Sequence, residues 1–247
     1  MRFITGEPAV LVGDSLVVTD LHIGVEIEFK RRGVHIPSQT KDMVTRLDRL
    51  LEKTKAKRLI LMGDIKHRVP GTSFQELKEI PCFFHHFTKK VKVEIVPGNH
   101  DTNLKVLAPK AIIHPAKGVL VGDAYLCHGH AWPSGKFLEA RYIIMGHSHP
   151  QVEFRNSLGY RWSEPVWLRA PLKRAVLKKR FKSAGKGKLP MLVVMPSFNR
   201  FAGGESVNRK PIHLLGPLAK AVDERKAEAS LLDGTLLGKI KDLIPAD

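Results

Sequence analysis

Five short polar clusters, each directly after an apolar run, punctuate the first part of the chain: Asp20-Leu21-His22, Gly63-Asp64, Gly98-Asn99-His100-Asp101, His128 and Gly146-His147-Ser148-His149. Imidazole, carboxylate and amide donors in this mixture suit borderline divalent cations such as Mn, Fe or Zn better than Mg or Ca. The donors suffice for two such ions, and a pair about 3.5–4 Å apart would activate a bridging water for attack on phosphorus. A carboxylate has two oxygens and can bridge two cations, so Asp64 is the natural shared ligand. Asp20 and His22 alternate around Leu21, and His147 and His149 around Ser148; in extended backbone each pair would share a face. Gly63 and Gly98 are expected to open the turns that present Asp64, Asn99 and His100. His100 is placed to protonate a leaving alkoxide, with Asp101 orienting or polarising its imidazole.

The elements that must position these groups are legible as alternating runs. Ser15–Thr19, Arg58–Met62, Val91–Val96 and Tyr142–Met145 are short and nearly continuous in apolar residues, the pattern of strands buried on both faces. Met43, Val44, Leu47, Leu50 and Leu51 predict a helix over Ser38–Lys55 with Ser38 as N-cap. Ser73 and Glu76 form a capping box for a second helix that buries Leu77, Ile80, Phe83, Phe84 and Phe87, with Pro81 kinking or interrupting it. Strand–helix alternation argues for an α/β layered domain, in which ligands gather beyond the carboxyl ends of strands. Ser183–Lys188 reads as a mobile loop, Met191–Met195 as a buried strand and Leu218–Leu232 as a surface helix. No linker is evident, so residues 1–247 are expected to form one domain.

The chain has 247 residues, 43% of them hydrophobic, and a formal charge of +17. That excess favours polyanionic partners through phosphate neutralisation. It is concentrated in residues 165–204, which hold ten Lys or Arg and no acidic residue. No apolar run reaches the roughly 18 residues of a membrane span, and the N-terminus lacks a signal-peptide core; a soluble cytoplasmic protein is expected. Cys82 and Cys127 have no metal-type spacing and are expected to be buried small hydrophobes. His35, His85, His86, His114 and His213 lack ligand spacing, and Trp132, Trp162 and Trp167 are assigned to packing before base stacking.

The order Asp-x-His, Gly-Asp, Gly-Asn-His-Asp, His, Gly-His-x-His resembles the calcineurin-like metallophosphoesterase superfamily over residues 15–150. The resemblance implies a four-layer αββα sandwich of two mixed β-sheets flanked by helices. It implies one metal on Asp20, His22, Asp64 and His149, and another on Asp64, Asn99, His128 and His147. Phe29-Lys30-Arg31-Arg32-Gly33, Gly63-Asp64-Ile65-Lys66-His67, His128-Gly129-His130 and Met195-Pro196-Ser197-Phe198 are similar to the SbcD-related archaeal and PdeM-type, ligase-associated phosphoesterases. That likeness implies that His67 positions a phosphodiester and that Arg31, Arg32 and His130 contact substrate. Lys66 stands where a bulky apolar residue is expected. The function implied is a phosphodiesterase with two divalent ions, Mn2+ foremost and Fe or Zn as alternatives. It would act on nucleic acid, DNA above all, beside a DNA-repair protein partner and with no membrane contact. The same core would equally serve a small-molecule phosphoesterase for cyclic nucleotides, nucleotide pyrophosphates or phosphomonoesters.

Overall fold

Side chains alternate along a strand, and the central strands here are apolar on both faces, so each of those feeds two cores. The computed structural model describes residues 1–209, 212 and 214–243; His213 lies outside the described residues. One sheet holds β1 (Arg2–Phe3), β2 (Val10–Val12), β3 (Ser15–Val18), β4 (Arg58–Leu61), β5 (Lys92–Ile95) and β6 (Ile112–Ile113), in that order. Its first three strands form an antiparallel meander, and β3 to β6 run parallel.

The second sheet contains β7 (Val119–Val121), β8 (Ala124–Leu126), β9 (Tyr142–Met145), β10 (Pro150–Arg155), β11 (Arg161–Ala170), β12 (Met191–Val194), β13 (Glu205–Ser206), β14 (Glu228–Leu231) and β15 (Leu236–Lys239). Its main path is β13-β10-β11-β12-β9-β8-β7, and β14 joins β11 to β15. Within it β8, β9 and β12 are parallel, while β10 and β11 form an antiparallel hairpin.

The helices are α1 (Glu26–Arg31), α2 (Thr40–Thr54), α3 (Phe74–Thr88), α4 (Leu104–Leu107) and α5 (Arg174–Lys178). Leu16, Val18, Leu59, Leu61, Val93 and Ile95 turn outward onto α2 and α3 through Leu47, Ile80, Phe83 and Phe87. Their neighbours Val17 and Ile60 turn inward to meet Leu126, Ile144, Trp167 and Val193 of the other sheet. Ile143, Met145, Leu192 and Val194 face a third core closed by Phe137, Leu177, Ala184 and Leu218. Three cores make four layers, the metallophosphoesterase arrangement, although the layer outside the second sheet is built of short helical turns. Full burial of each such aliphatic side chain contributes about 1.5–3 kcal/mol, so the strands that end at the polar clusters are anchored on both sides.

Several expectations are corrected. Helix α2 begins at Thr40 with Gln39 at the N-cap position, one residue later than expected; the Ser38 hydroxyl still accepts from the Thr40 amide at 3.3 Å while donating to Glu79 at 2.9 Å. In α3 the Ser73–Glu76 capping box is present and Pro81 is accommodated without ending the helix, but Leu77 is exposed. Leu218–Leu232 is not a helix: it passes through 3-10 turns into β14, since pairing with β11 satisfies its backbone. Ser183–Lys188 is partly a 3-10 turn. Cys127 is buried but Cys82 is exposed, and both are free thiols. No helix among the described residues is long and apolar enough to cross a membrane.

Candidate metal centre

All five polar clusters stand just past the carboxyl ends of strands: β3, β4, β5, β8 and β9 end at Val18, Leu61, Ile95, Leu126 and Met145. The chain reverses at once. Asp20, His22, Asp64, His147 and His149 all adopt left-handed backbones, with φ of 57°, 41°, 49°, 69° and 40°. This corrects the expected extended alternation: both pairs converge through turns, not through the pleat. Left-handed non-glycine residues cluster where surrounding structure over-determines them, and here the loops are tied to one another. The amides of Asp20 and His22 donate to the carbonyls of Gly63 and Asp64 at 3.1 and 2.8 Å. The Ser197 hydroxyl donates to the Asp20 carbonyl at 2.7 Å, and the Asn199 amide to that of Leu21 at 2.8 Å.

Glycines permit the approach of the loops. A Cβ on Gly63 would fall 2.3 Å from His128 Nδ1, one on Gly98 2.1 Å from Asp64 Oδ1, and one on Gly146 2.4 Å from Asp20 Oδ2. Gly98 thus serves close packing, in contrast to the turn-opening role expected for it; only Gly63 among the three has a positive φ.

The structure brings together Asp20, His22 and His149 in one group, and Asp64, His128 and His147 in another, with potential ligand atoms within 4.8 Å of one another in each. Asp64 Oδ2 lies 3.8 Å from His22 Nε2 and 3.3 Å from His128 Nε2, between the two groups. Asp20 Oδ1 is 3.2 Å from His149 Nε2, while its Oδ2 accepts from the Thr19 hydroxyl and the His147 amide. His22, His128 and His149 each bury an Nε2 that makes no hydrogen bond. His128 donates from Nδ1 to the Met62 carbonyl at 3.1 Å, which turns the Nε2 lone pair into the cleft, as for metal-ligating histidines generally. Two donors each about 2.1 Å from one ion would stand roughly 3.0–3.4 Å apart. Unpartnered nitrogens at about that distance from carboxylate oxygens fit a pair of divalent cations. Asn99 is exposed on the loop after β5 that also carries His100.

The protonation tendencies divide: burial favours neutral imidazoles at His22 and His147, whereas the facing carboxylates outweigh burial at His128 and His149. Burial holds His22 down to about 3 and His147 to about 4, so both imidazoles are neutral. Burial opposes charge on His128 too, but Asp64 and Asp20 outweigh it and raise the group to about 9. Burial would raise the carboxyls, yet the facing histidines hold Asp20 and Asp64 below the ordinary range. Cation binding would therefore displace the His128 proton.

His100 stands at the mouth, its amide donating to Asp64 Oδ1 at 3.0 Å and its Nε2 3.8 Å from Asp64 Oδ2. Its Nδ1 hydrogen-bonds the main-chain carbonyl of His67. Asp101 does not orient His100. Its buried carboxylate accepts from the amides of Ile65, Lys66 and Gly98 at 2.8, 3.4 and 2.8 Å, bracing two loops together. His67 Nδ1 is 3.2 Å from His22 Nδ1 and its Nε2 3.2 Å from Glu28, and His22, His67 and His100 form a third close group. Arg31 lines a cavity of about 260 Å³ with His67 and Arg68, whereas Arg32 is an exposed residue at the end of α1, outside that lining. The His130 ring is 5.3 Å from His128, with Nδ1 buried and unpartnered. Trp167 is buried, Trp132 lies beneath Arg180, and Trp162 stacks between Phe154 and Tyr160.

Sequence reasoning missed the residues that hold the loops. Thr19, Ser197 and Asn199 each act through several hydrogen bonds that no spacing announces. Glu76 was recognised only as a cap. Its buried carboxylate also accepts from the amides of His67 and Arg68 at 2.8 and 2.6 Å. Lys66 is fully buried, and its ammonium donates to the carbonyls of Arg68 and Gly71; that hydrogen bonding is why a lysine is tolerated there.

Two mixed sheets that gather aspartate and histidine at their strand ends define the metallophosphoesterase fold. Residues 15–131 match the calcineurin-like phosphoesterase family. No curated protein matches the chain. Among solved structures it is similar to the nuclease MPE of Pseudomonas putida, with 21% identity, 91% of this chain and 88% of that chain covered, and a TM-score of 0.52. It also matches Yfce, a phosphoesterase from E. coli, with 17% identity, 58% and 74% coverage and a TM-score of 0.38. A phosphoesterase-like protein of Streptococcus pneumoniae matches with 13% identity, 90% and 91% coverage and a TM-score of 0.31. The family match and the cleft support a metal-dependent hydrolase of phosphoester bonds.

Proposed function

We propose that the protein is a two-metal phosphodiesterase that cleaves nucleic acid, DNA foremost. The observation that carries the reading is Asp64, whose carboxylate lies between two groups of donors with unpartnered imidazole nitrogens aimed at it. One ion would be held by Asp20, His22, Asp64 and His149, the other by Asp64, Asn99, His128 and His147. Bound there, divalent cations supply charge stabilisation at phosphorus and acidify a water ligand near neutral pH. The chain's own groups do the rest. His100, fixed through Nδ1–H by the His67 carbonyl, keeps its Nε2 towards the cleft and, as the imidazolium, donates the Nε2 proton to the leaving oxygen. His67, Arg31 and His130 line the approaches and orient the phosphodiester. Asp101 maintains the loop that carries Asn99 and His100.

The net charge of +17, the His67 position and the motifs similar to SbcD-related and PdeM-type phosphoesterases support a polyanionic substrate over a small one. The test is turnover of single- and double-stranded DNA, a generic aryl phosphodiester, a phosphomonoester and a cyclic nucleotide, each with Mn, Fe, Zn or Mg supplied. DNA cleavage that Asp64→Asn abolishes is expected. A strong monoesterase or cyclic phosphodiesterase inert on DNA would replace the nuclease reading with the small-substrate one.

A further inference from the structure

The most basic part of the chain is folded, and its exposed lysines have no partners among the described residues. Between β11 and β12 the polypeptide forms α5 and a 3-10 turn over Lys182–Gly185, sealed by the buried side chains of Leu177 and Ala184. Arg174 closes the segment by donating to the carbonyls of Ala184 and Gly187 at 2.6 Å each and of Lys186 at 3.3 Å. Arg180 lies over the Trp132 indole, 5.2 Å from its centroid, and Phe181 meets Trp132 edge-on. Lys178, Lys179, Lys182 and Lys186 are exposed on this knob. None of their ammonium groups forms an ion pair or hydrogen bond among the described residues.

Surface charge that serves solubility is normally interspersed in sign. Here no carboxylate occurs from residue 165 to 204 and none from elsewhere pairs with Lys178, Lys179, Lys182 or Lys186 among the described residues, so a polyanion would relieve the repulsion among these charges. The location matters equally. Trp132 is two residues beyond His130, a span of about 7 Å at most, and His130 packs beside His128. Arg180, through Trp132, is thus linked by two residues of chain to His130 on the His128 side of the cleft. Membrane attachment is disfavoured because residues 173–188 expose no large apolar side chain that could enter a lipid layer.

We propose that Lys178, Lys179, Arg180 and Lys182 form a docking surface for the sugar–phosphate backbone of a nucleic acid strand that leads into the cleft. The direction of the strand rests on the nuclease reading above; the contact itself does not.

The experiment measures binding of a labelled single-stranded oligonucleotide to metal-free full-length protein by anisotropy over a salt series, beside hydrolysis of the aryl phosphodiester by metal-loaded protein. The variant Lys178→Ala/Lys179→Ala/Arg180→Ala/Lys182→Ala should lose about tenfold or more in affinity at low salt. Its slope of log K against log salt should be shallower by roughly 3, at about 0.7 per lost phosphate contact. Aryl diester turnover should persist, reporting an intact fold. A variant with arginine at the three lysines should retain affinity and slope. Unchanged DNA binding in the alanine variant overturns the proposal, as does loss of binding in the arginine variant. Stronger, knob-dependent binding to anionic lipid vesicles than to DNA would also overturn it. Knob-dependent DNA binding with no diester hydrolysis by the wild type would leave the surface standing and sink the nuclease reading alone.

Discussion

The His100 imidazole takes its orientation from the backbone of His67: Nδ1 hydrogen-bonds that residue's carbonyl oxygen. A carbonyl can only accept, so Nδ1 carries a proton and Nε2 is left towards Asp64 and the cleft; donation from Nε2 then requires the doubly protonated imidazolium. The loop that carries one candidate catalytic side chain is thus the rest against which the other is aligned.

If His100 protonates the leaving group, His100→Asn should lower kcat by about 10²–10⁴ for substrates with alkoxide leaving groups. The loss should shrink for nitrophenolate, which needs no proton. Comparing the two substrates, with metal content checked by elemental analysis, separates this role from ligation; an equal loss on both removes it.

Glu76 holds that alignment from outside the cleft. Its carboxylate receives the amides of His67, Arg68 and Ser73, and a glutamine cannot accept all three without facing an N–H with an N–H. Glu76→Gln should cost about 1–3 kcal/mol of stability in urea titration. It should also reduce kcat while two ions remain bound. Wild-type kcat in a destabilised variant would show that the loop tolerates displacement.

The shared position of Asp64 makes ligand deletions unequal. Asp64→Asn should bind fewer than two ions and lose nearly all turnover, whereas His130→Ala should keep both ions and change mainly KM. Reconstitution followed by elemental analysis reads this directly.

Glu94 on β5 supplies a pH test remote from the cleft. Burial would raise its carboxyl, but Arg58, bidentate at 2.8 and 2.9 Å, together with His114 and Lys92, depresses it to about 2. A folded-state value below the unfolded value of about 4.5 contributes stability that is present above 4.5 and lost as pH falls towards 2. Glu94→Gln should therefore be less stable than wild type near neutrality, and the difference should close between pH 5 and 2. Parallel denaturation curves at each pH test it; a constant gap contradicts it.

The sheet strands and the five clusters are legible because doubly buried strands leave continuous apolar runs and ligand chemistry demands particular residue types. Asp20, Asp64, His128 and His149 accordingly meet where their motifs suggested. What is illegible depends on three-dimensional choices among equivalent hydrogen-bond partners. Asp101 follows His100 directly, yet its oxygens find three backbone amides, while a carbonyl 33 residues away takes the imidazole. Leu218–Leu232 carries helix-compatible apolar spacing, but the open side of β11 captures its end as a strand. Ser38 fills two hydrogen-bond roles at once, to Glu79 and from the Thr40 amide, and only the second could be anticipated from its place before the helix.

The five left-handed turns at Asp20, His22, Asp64, His147 and His149 have a consequence for how the molecule stores energy. Each such conformation lies about 1–2 kcal/mol above its right-handed counterpart for a residue with a side chain, and all five surround one small volume. The hydrogen bonds that lash these loops to one another hold that strain in place, so cutting one of them would let several donors relax together.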